Sequence, residues 1–184
     1  MESKEYILLI DTSSNVISVI LAKSDGKYIE EKSLDSDKVA VDLPILVESI
    51  LKDIGFNKLQ AIGVIVGPGS FTGIRIGIAY SKGLSLGLNI PLYSVNAFEV
   101  YLNEFKNAFV AIDTGRGDFF VGSTDIQPCV MNMDEVEILK SKYKIVLGDK
   151  SYNLKNGINV LLEKKIKSPD IVIPLYLRPS YAEK

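Results

Sequence analysis

The chain has 184 residues, 47% of them hydrophobic, with a formal net charge of −2 and no histidine. The missing histidine excludes Ser-His-Asp and Cys-His catalysis, metalloprotease chemistry of the His-Glu-x-x-His type and most zinc sites. A sequence pI near 5.3 argues against a stand-alone nucleic-acid binder, because neutralising phosphates needs a basic surface.

The length suits one domain or two small ones, and a mean hydropathy of +0.18 suits a chain with a real core. No apolar run approaches the roughly 20 residues of a membrane span. The apolar residues 6–10 are too few for a signal-peptide core and stop at Asp11. The expected location is the cytoplasm, away from membranes. The single cysteine, Cys129, rules out an internal disulfide and reads as a small buried hydrophobe.

In chain order, residues 6–10 read as a buried strand, 11–15 as polar turn chemistry, 16–22 as a second strand and 28–34 as a third. Asp25-Gly26 supplies the hairpin signal between the last two. Residues 39–54 are amphipathic. Val39, Leu43, Leu46, Val47, Ile50, Leu51 and Ile54 follow the helical i, i+3, i+4 pattern, and Gly55 is a natural stop. Pro44 leaves the start of that helix open.

A continuous apolar strand over 61–66 then runs into Gly67-Pro68-Gly69-Ser70-Phe71-Thr72-Gly73-Ile74-Arg75-Ile76-Gly77. This stretch predicts a strand, a sharp turn and a helix to about residue 88, capped by Ser70 or Thr72. Such a turn offers backbone N–H groups to a phosphate. Here the Walker lysine is absent and the dinucleotide glycine spacing fails, so a purely structural turn stands beside the phosphate reading.

Within the helix, Gly73, Gly77, Ser81 and Ser85 recur every four residues, and Gly83 and Gly87 form a second small pair. Each helical glycine costs roughly 1 kcal/mol against alanine, so close packing must offset it. The packing partner is either the chain's own sheet or another subunit. Ile74, Ile76, Ile78, Tyr80, Leu84, Leu86 and Leu88 surround the helix with apolar groups beyond what one sheet face buries. The candidate partner interface is therefore Val39, Leu43, Leu46, Ile50, Gly73, Ile74, Gly77, Ile78, Ser81 and Leu84.

Residues 91–95 read as a short strand and 97–105 as a short helix. A second phase follows, with a buried strand at 108–112, a turn at 113–118 and a return strand at 119–123. Beyond it the pattern weakens to a strand at 144–148, a helix at 157–164 and an extended segment at 171–177. Lys164-Lys165-Ile166-Lys167 reads as a solvated helix end. Two apolar strands thus end in Asp-Thr, at Asp11-Thr12 and Asp113-Thr114, and each leads into a hairpin. Asp11, Thr12 and Ser13 on one side, and Asp113, Gly115 and Arg116 on the other, are read first as ordinary side-chain-bonded turns and second as vestigial phosphate loops.

The strand and helix order, with an aspartate closing the first strand, resembles the first lobe of the actin, sugar-kinase and Hsp70 superfamily. Within it, Ile10-Asp11-Thr12-Ser13, the run Gly67 to Gly77, Ala111-Ile112-Asp113-Thr114-Gly115-Arg116-Gly117 and Pro174-Leu175-Tyr176-Leu177-Arg178 are similar to the TsaB (YeaZ) family. The resemblance implies an α/β, actin-like ATPase (ribonuclease H-like) fold of two lobes: residues 1–101, carrying the partner-binding helices, and a reduced second lobe over 102–184.

It also implies a non-catalytic scaffold in tRNA threonylcarbamoyladenosine synthesis. The partner TsaD, which carries the metal, transfers threonylcarbamoyl from an adenylate to the adenosine beside the anticodon, and the ATPase TsaE joins the pair. No cofactor of its own is implied. ATP and metal belong to the partner subunits, tRNA is met only through the complex, and a homodimer is a candidate state when TsaD is absent. On this reading Gly77→Arg leaves the monomer folded and abolishes pairing.

Three departures stand out. The second lobe is short, Asp35-Ser36-Asp37-Lys38 stands where relatives often carry His-Ser, and the Asp113–Gly117 turn is glycine-rich. A nucleotide-binding or hydrolysing protein of the actin-like superfamily is the alternative. A peptidase is disfavoured by the missing histidine.

Overall fold

The computed structural model describes residues 4–148, 152–165 and 171–178. Two sheets carry the fold. In the first, β1 (Tyr6–Asp11), β2 (Val16–Lys23), β3 (Tyr28–Asp35), β4 (Leu59–Ile65) and β5 (Leu92–Val95) lie in the order β3-β2-β1-β4-β5. The β1–β2–β3 meander is antiparallel, while β4 and β5 join in parallel. In the second, β6 (Ala108–Asp113), β7 (Asp118–Gly122), β8 (Cys129–Asn132) and β9 (Lys144–Gly148) lie in the order β8-β7-β6-β9, again a meander with one parallel strand. The second sheet repeats the first four strands of the first.

Alternation in β1 explains the layering. Leu8 and Ile10 face one side, where α1 (Val39–Leu51) and α2 (Phe71–Leu88) supply Leu43, Val47, Ile50, Ile74 and Ile78. Ile7 and Leu9 face the other, where α5 (Lys155–Lys165) supplies Ile158 and Leu161. The helix α3 (Ala97–Glu104) stands between the sheets. Its Val100 enters the core under α5, and its Phe98 and Tyr101 enter the core of the second sheet beside Val110 and Ile112. The division expected at 101/102 therefore falls inside a helix that both cores share, and α5, from the second half of the chain, covers the first sheet.

Several local expectations change. The helix start that Pro44 left open is Val39, with Pro44 inside α1. Its missing N–H removes a bond to the carbonyl of Ala40, which is on the exposed side where water can replace it. Ser36 anchors the start of that helix, accepting from Lys38 N at 2.9 Å and donating to Asp42 at 2.5 Å. The strand β8 and the short helix α4 (Met133–Leu139) fall where the sequence pattern is weak. A capping box between Asn132 and Glu135 starts that helix. Residues 171–177 have no regular structure.

Lys164 and Lys165 are not a solvated end. Lys164 bonds Glu99 and the Ser94 carbonyl, and Lys165 bonds Gln60, so both cations pin α5 to its neighbours. Ile166 and Lys167 of that cluster lie outside the described residues.

Candidate functional site

The two Asp-Thr hairpins converge. A cavity of about 1050 Å³ opens between the β1–β2 turn, the β6–β7 turn, the glycine loop and the C-terminal segment, and Asp11, Ser13, Thr114 and Arg116 share its wall. Thr12 and Asp113 belong to the same two turns but do not line it.

Each hairpin is locally an Asx turn. Asp11 Oδ1 accepts from Ser13 N at 2.8 Å, and Asp113 Oδ1 accepts from Gly115 N at 2.7 Å. Gly115 takes φ +72°, the left-handed region glycine tolerates. The side-chain-bonded turn read first from the sequence is thus the geometry present at both places.

Asp11 is more constrained than its twin. It is 7% exposed, and Tyr152 Oη donates to its second oxygen at 2.6 Å, with Ser13 Oγ 3.3 Å from the same hydroxyl. Burial pushes the Asp11 carboxyl above its ordinary value, and the bonds from Tyr152 and Ser13 only partly oppose this. The Tyr152 hydroxyl is also pushed up, by burial first and then by the neighbouring Asp11.

Three amides of the glycine loop and the helix start are bonded within the chain itself. Ser70 N donates to Ser13 O at 2.7 Å, Gly73 N to the capping Ser70 Oγ at 3.2 Å and Ile74 N to Ser70 O at 2.9 Å. A Cβ at Gly69 would lie 2.2 Å from Ser13 O, so the loop packs directly on the hairpin at that point. Among the described residues no three acidic or cysteine side chains converge as a metal cluster would need.

The candidate interface residues divide. Leu43, Ile50, Gly73, Ile74, Gly77, Ile78 and Ser81 are buried in the chain's own core, and Val39, Leu46 and Leu84 are half-buried against it. Gly73, Gly77 and Ser81 of the small-residue ridge thus meet the chain's own core, the first of the two packing partners the sequence left open. Thr12 is what the ridge receives: a Cβ at Gly73 would sit 2.1 Å from its carbonyl oxygen and one at Gly77 2.2 Å from its Oγ1, which already donates to Gly73 O at 2.8 Å. Gly77→Arg is accordingly a folding lesion, not an interface probe.

The outward face lies elsewhere. Val41 and Ile45, one helical turn apart on α1, are each 60% exposed, and Leu86 on α2 is 82% exposed. Gly83 and Gly87 have nothing within 4 Å of an added Cβ. Val41 and Ile45 were legible as apolar residues off the main stripe of α1.

The remaining wall is the C-terminal segment, which the motif Pro174 to Arg178 marked without saying what it does. Val172 is buried in the first core, and Leu175 N donates to Val66 O at 2.8 Å. Tyr176 stacks on Phe71 at 4.9 Å, with Arg75 over the same ring at 5.1 Å. Arg178 pairs with Asp118 at the start of β7. The segment straps one sheet to the other across the cavity. Nothing in the pattern around Tyr152 announced its bond to Asp11.

These features define an α/β protein of actin-like, ribonuclease H-like fold with two sheets about a cleft. YeaZ from Pseudomonas aeruginosa shares the fold, at TM-score 0.72 and 19% identity over 94% of this chain and 100% of that one. The family model of TsaD, tRNA N6-adenosine threonylcarbamoyltransferase, matches residues 33–169.

The tRNA threonylcarbamoyladenosine biosynthesis protein TsaB of Bacillus subtilis is 31% identical over 157 residues, 77% of this chain and 69% of that protein. The TsaB of Buchnera aphidicola (Baizongia pistaciae) is 38% identical over 86 residues, 46% of this chain; the match spans only 39% of that relative's length. The chain belongs to the TsaB (YeaZ) family, within the wider group that the TsaD model describes. Among the described residues no helix is long and apolar enough to cross a membrane.

Proposed function

We propose that this chain is a non-catalytic scaffold subunit in the synthesis of threonylcarbamoyladenosine on tRNA. It pairs with TsaD, supports TsaE, and meets tRNA only through that complex, in the cytoplasm. It binds no cofactor of its own, and ATP and metal act in the partner subunits. Without TsaD, a homodimer on the same surface is the expected substitute. The TsaB relatives support the pathway, while the transferase named by the family model is assigned here to the partner.

One observation carries the scaffold reading. On α1 and α2 the chain presents Val41, Ile45 and Leu86 to solvent, with Gly83 and Gly87 leaving room for a second backbone. Meanwhile Asp11, which a nucleotide-handling relative of this fold would turn toward a ligand, is taken up by Ser13 and Tyr152.

The test is co-expression with the TsaD of the same organism followed by size exclusion. The wild type should elute as a complex. Gly83→Arg and Ile45→Glu should elute alone with unchanged melting temperatures, since both sites are open to solvent. Co-elution of both variants with TsaD would remove this face from the interface. Heat released on titrating ATP and magnesium into the isolated chain, and lost in Asp11→Ala, would restore the nucleotide-binding alternative.

A further inference from the structure

Tyr152 has no part in the outward face just described, yet it touches both halves of the molecule. Its ring packs against the core under α5 and against the core of the second sheet. On one side it meets Tyr101 edge-on, with ring centroids 5.3 Å apart. Tyr101 in turn lies over Gly148 at the end of β9, where a Cβ would be 2.7 Å from the Tyr101 Oη.

On the other side the Tyr152 hydroxyl donates to Asp11 Oδ2 at 2.6 Å and lies 3.3 Å from Ser13 Oγ. From there the contacts continue without a gap. Asp11 holds Ser13 N, Ser13 O holds Ser70 N, Ser70 O holds Ile74 N, and Thr12 Oγ1 holds Gly73 O.

The repeat between the halves makes this arrangement informative. In the first half, the loop after β4 closes on the hairpin of its own sheet, through Ser70 and Ser13. In the second half, Tyr152 follows β9, the strand equivalent to β4, and it crosses to the hairpin of the other sheet. The β1–β2 turn is therefore gripped from both halves at once, and α2 is built on that turn.

We propose that Tyr152 is an inter-sheet latch: its hydroxyl, bridging Asp11 and Ser13, locks the β1–β2 turn and through it positions the first turn of α2. Tyr152 is a positioning residue, acting on α2 only through Asp11 and Ser13. The strap from Val172 to Arg178 is a separate tie between the sheets, so loosening the latch leaves the fold intact.

The experiment is amide hydrogen exchange by NMR on the intact chain carrying Tyr152→Phe, which keeps the ring and removes the hydroxyl. Exchange at Ser13, Ser70 and Gly73 should rise by up to about tenfold, the loss of one hydrogen bond of ordinary worth. Leu8, Ile10 and Val64 in the strand interiors should be unchanged. Asp11→Ala removes the acceptor of the Tyr152 hydroxyl, so the double variant should raise Ser70 exchange no further than Asp11→Ala alone. Unchanged exchange at Ser13 and Ser70 in Tyr152→Phe would overturn the latch. An equal rise at every core amide would also overturn it, because that is general destabilisation.

Discussion

The β1–β2 and β6–β7 turns begin from the same residues and the same hydrogen bond, and they end in different environments. Asp11 and Asp113 each close an Asx turn two residues ahead. Asp11 is then sealed beneath Tyr152, while Asp113 stays exposed. Thr12 turns inward to bond Gly73 O beneath α2, whereas Thr114 bonds Asp118 within its own hairpin. The first turn is a structural anvil for a helix, and the second is a rim of the cleft that carries no helix and meets the strap through Asp118 and Arg178. An identical local motif therefore carries no information about its load. The load comes from which helix lands on it.

The largest test of that contrast is glycine substitution. Gly73→Ala drives a methyl to within 2.1 Å of the Thr12 carbonyl oxygen, which is backbone and cannot yield easily. We expect a loss of about 3 kcal/mol in urea unfolding. Gly115→Ala meets no atom within 4 Å and pays only the left-handed backbone cost, about 1 kcal/mol. Equal losses would mean that α2 is not seated on the first hairpin.

Next in size is removal of the two aspartates. Asp11→Ala leaves the Ser13 amide and the Tyr152 hydroxyl buried without an acceptor, and should cost about 2 kcal/mol. Asp113→Ala exposes one turn amide to water and should cost about 0.5 kcal/mol by the same measurement. An Asp113 effect as large as that of Asp11 would erase the distinction between the two turns.

The smallest effect is a pH dependence that belongs to one turn alone. Burial raises the Asp11 carboxyl above 3.8, so between the unfolded and folded values the native chain holds a proton that the unfolded chain has released. Stability contributed by Asp11 is thus fully present below about pH 4 and is lost as pH rises through the folded value. Urea midpoints of wild type and Asp11→Asn should diverge over that interval, with the wild type losing ground to the variant as pH rises. A wild type that gains on the variant as pH rises would show that the bonds from Tyr152 and Ser13, not burial, dominate the carboxyl.

Much of this molecule was legible from residues alone because the relevant forces are short-range. Alternating and continuous apolar runs marked β1, β2, β4 and β6, Asp-Thr marked both turns, and the glycine spacing marked α2 as a helix under a packing demand. The weakly patterned β8 and α4 escaped because short, half-exposed elements carry too few periodic residues to declare a face.

The sequence by itself determined the family, the β1–β2–β3 meander and the chemistry of the two turns. Only the tertiary structure decided what the small-residue ridge of α2 faces, because the chain's own threonine and a foreign helix make the same demand for absent side chains. It also brought Tyr152 to Asp11 across 141 residues. No local preference encodes that bond, since it exists only once α3, α5 and the strap have set the two sheets against each other.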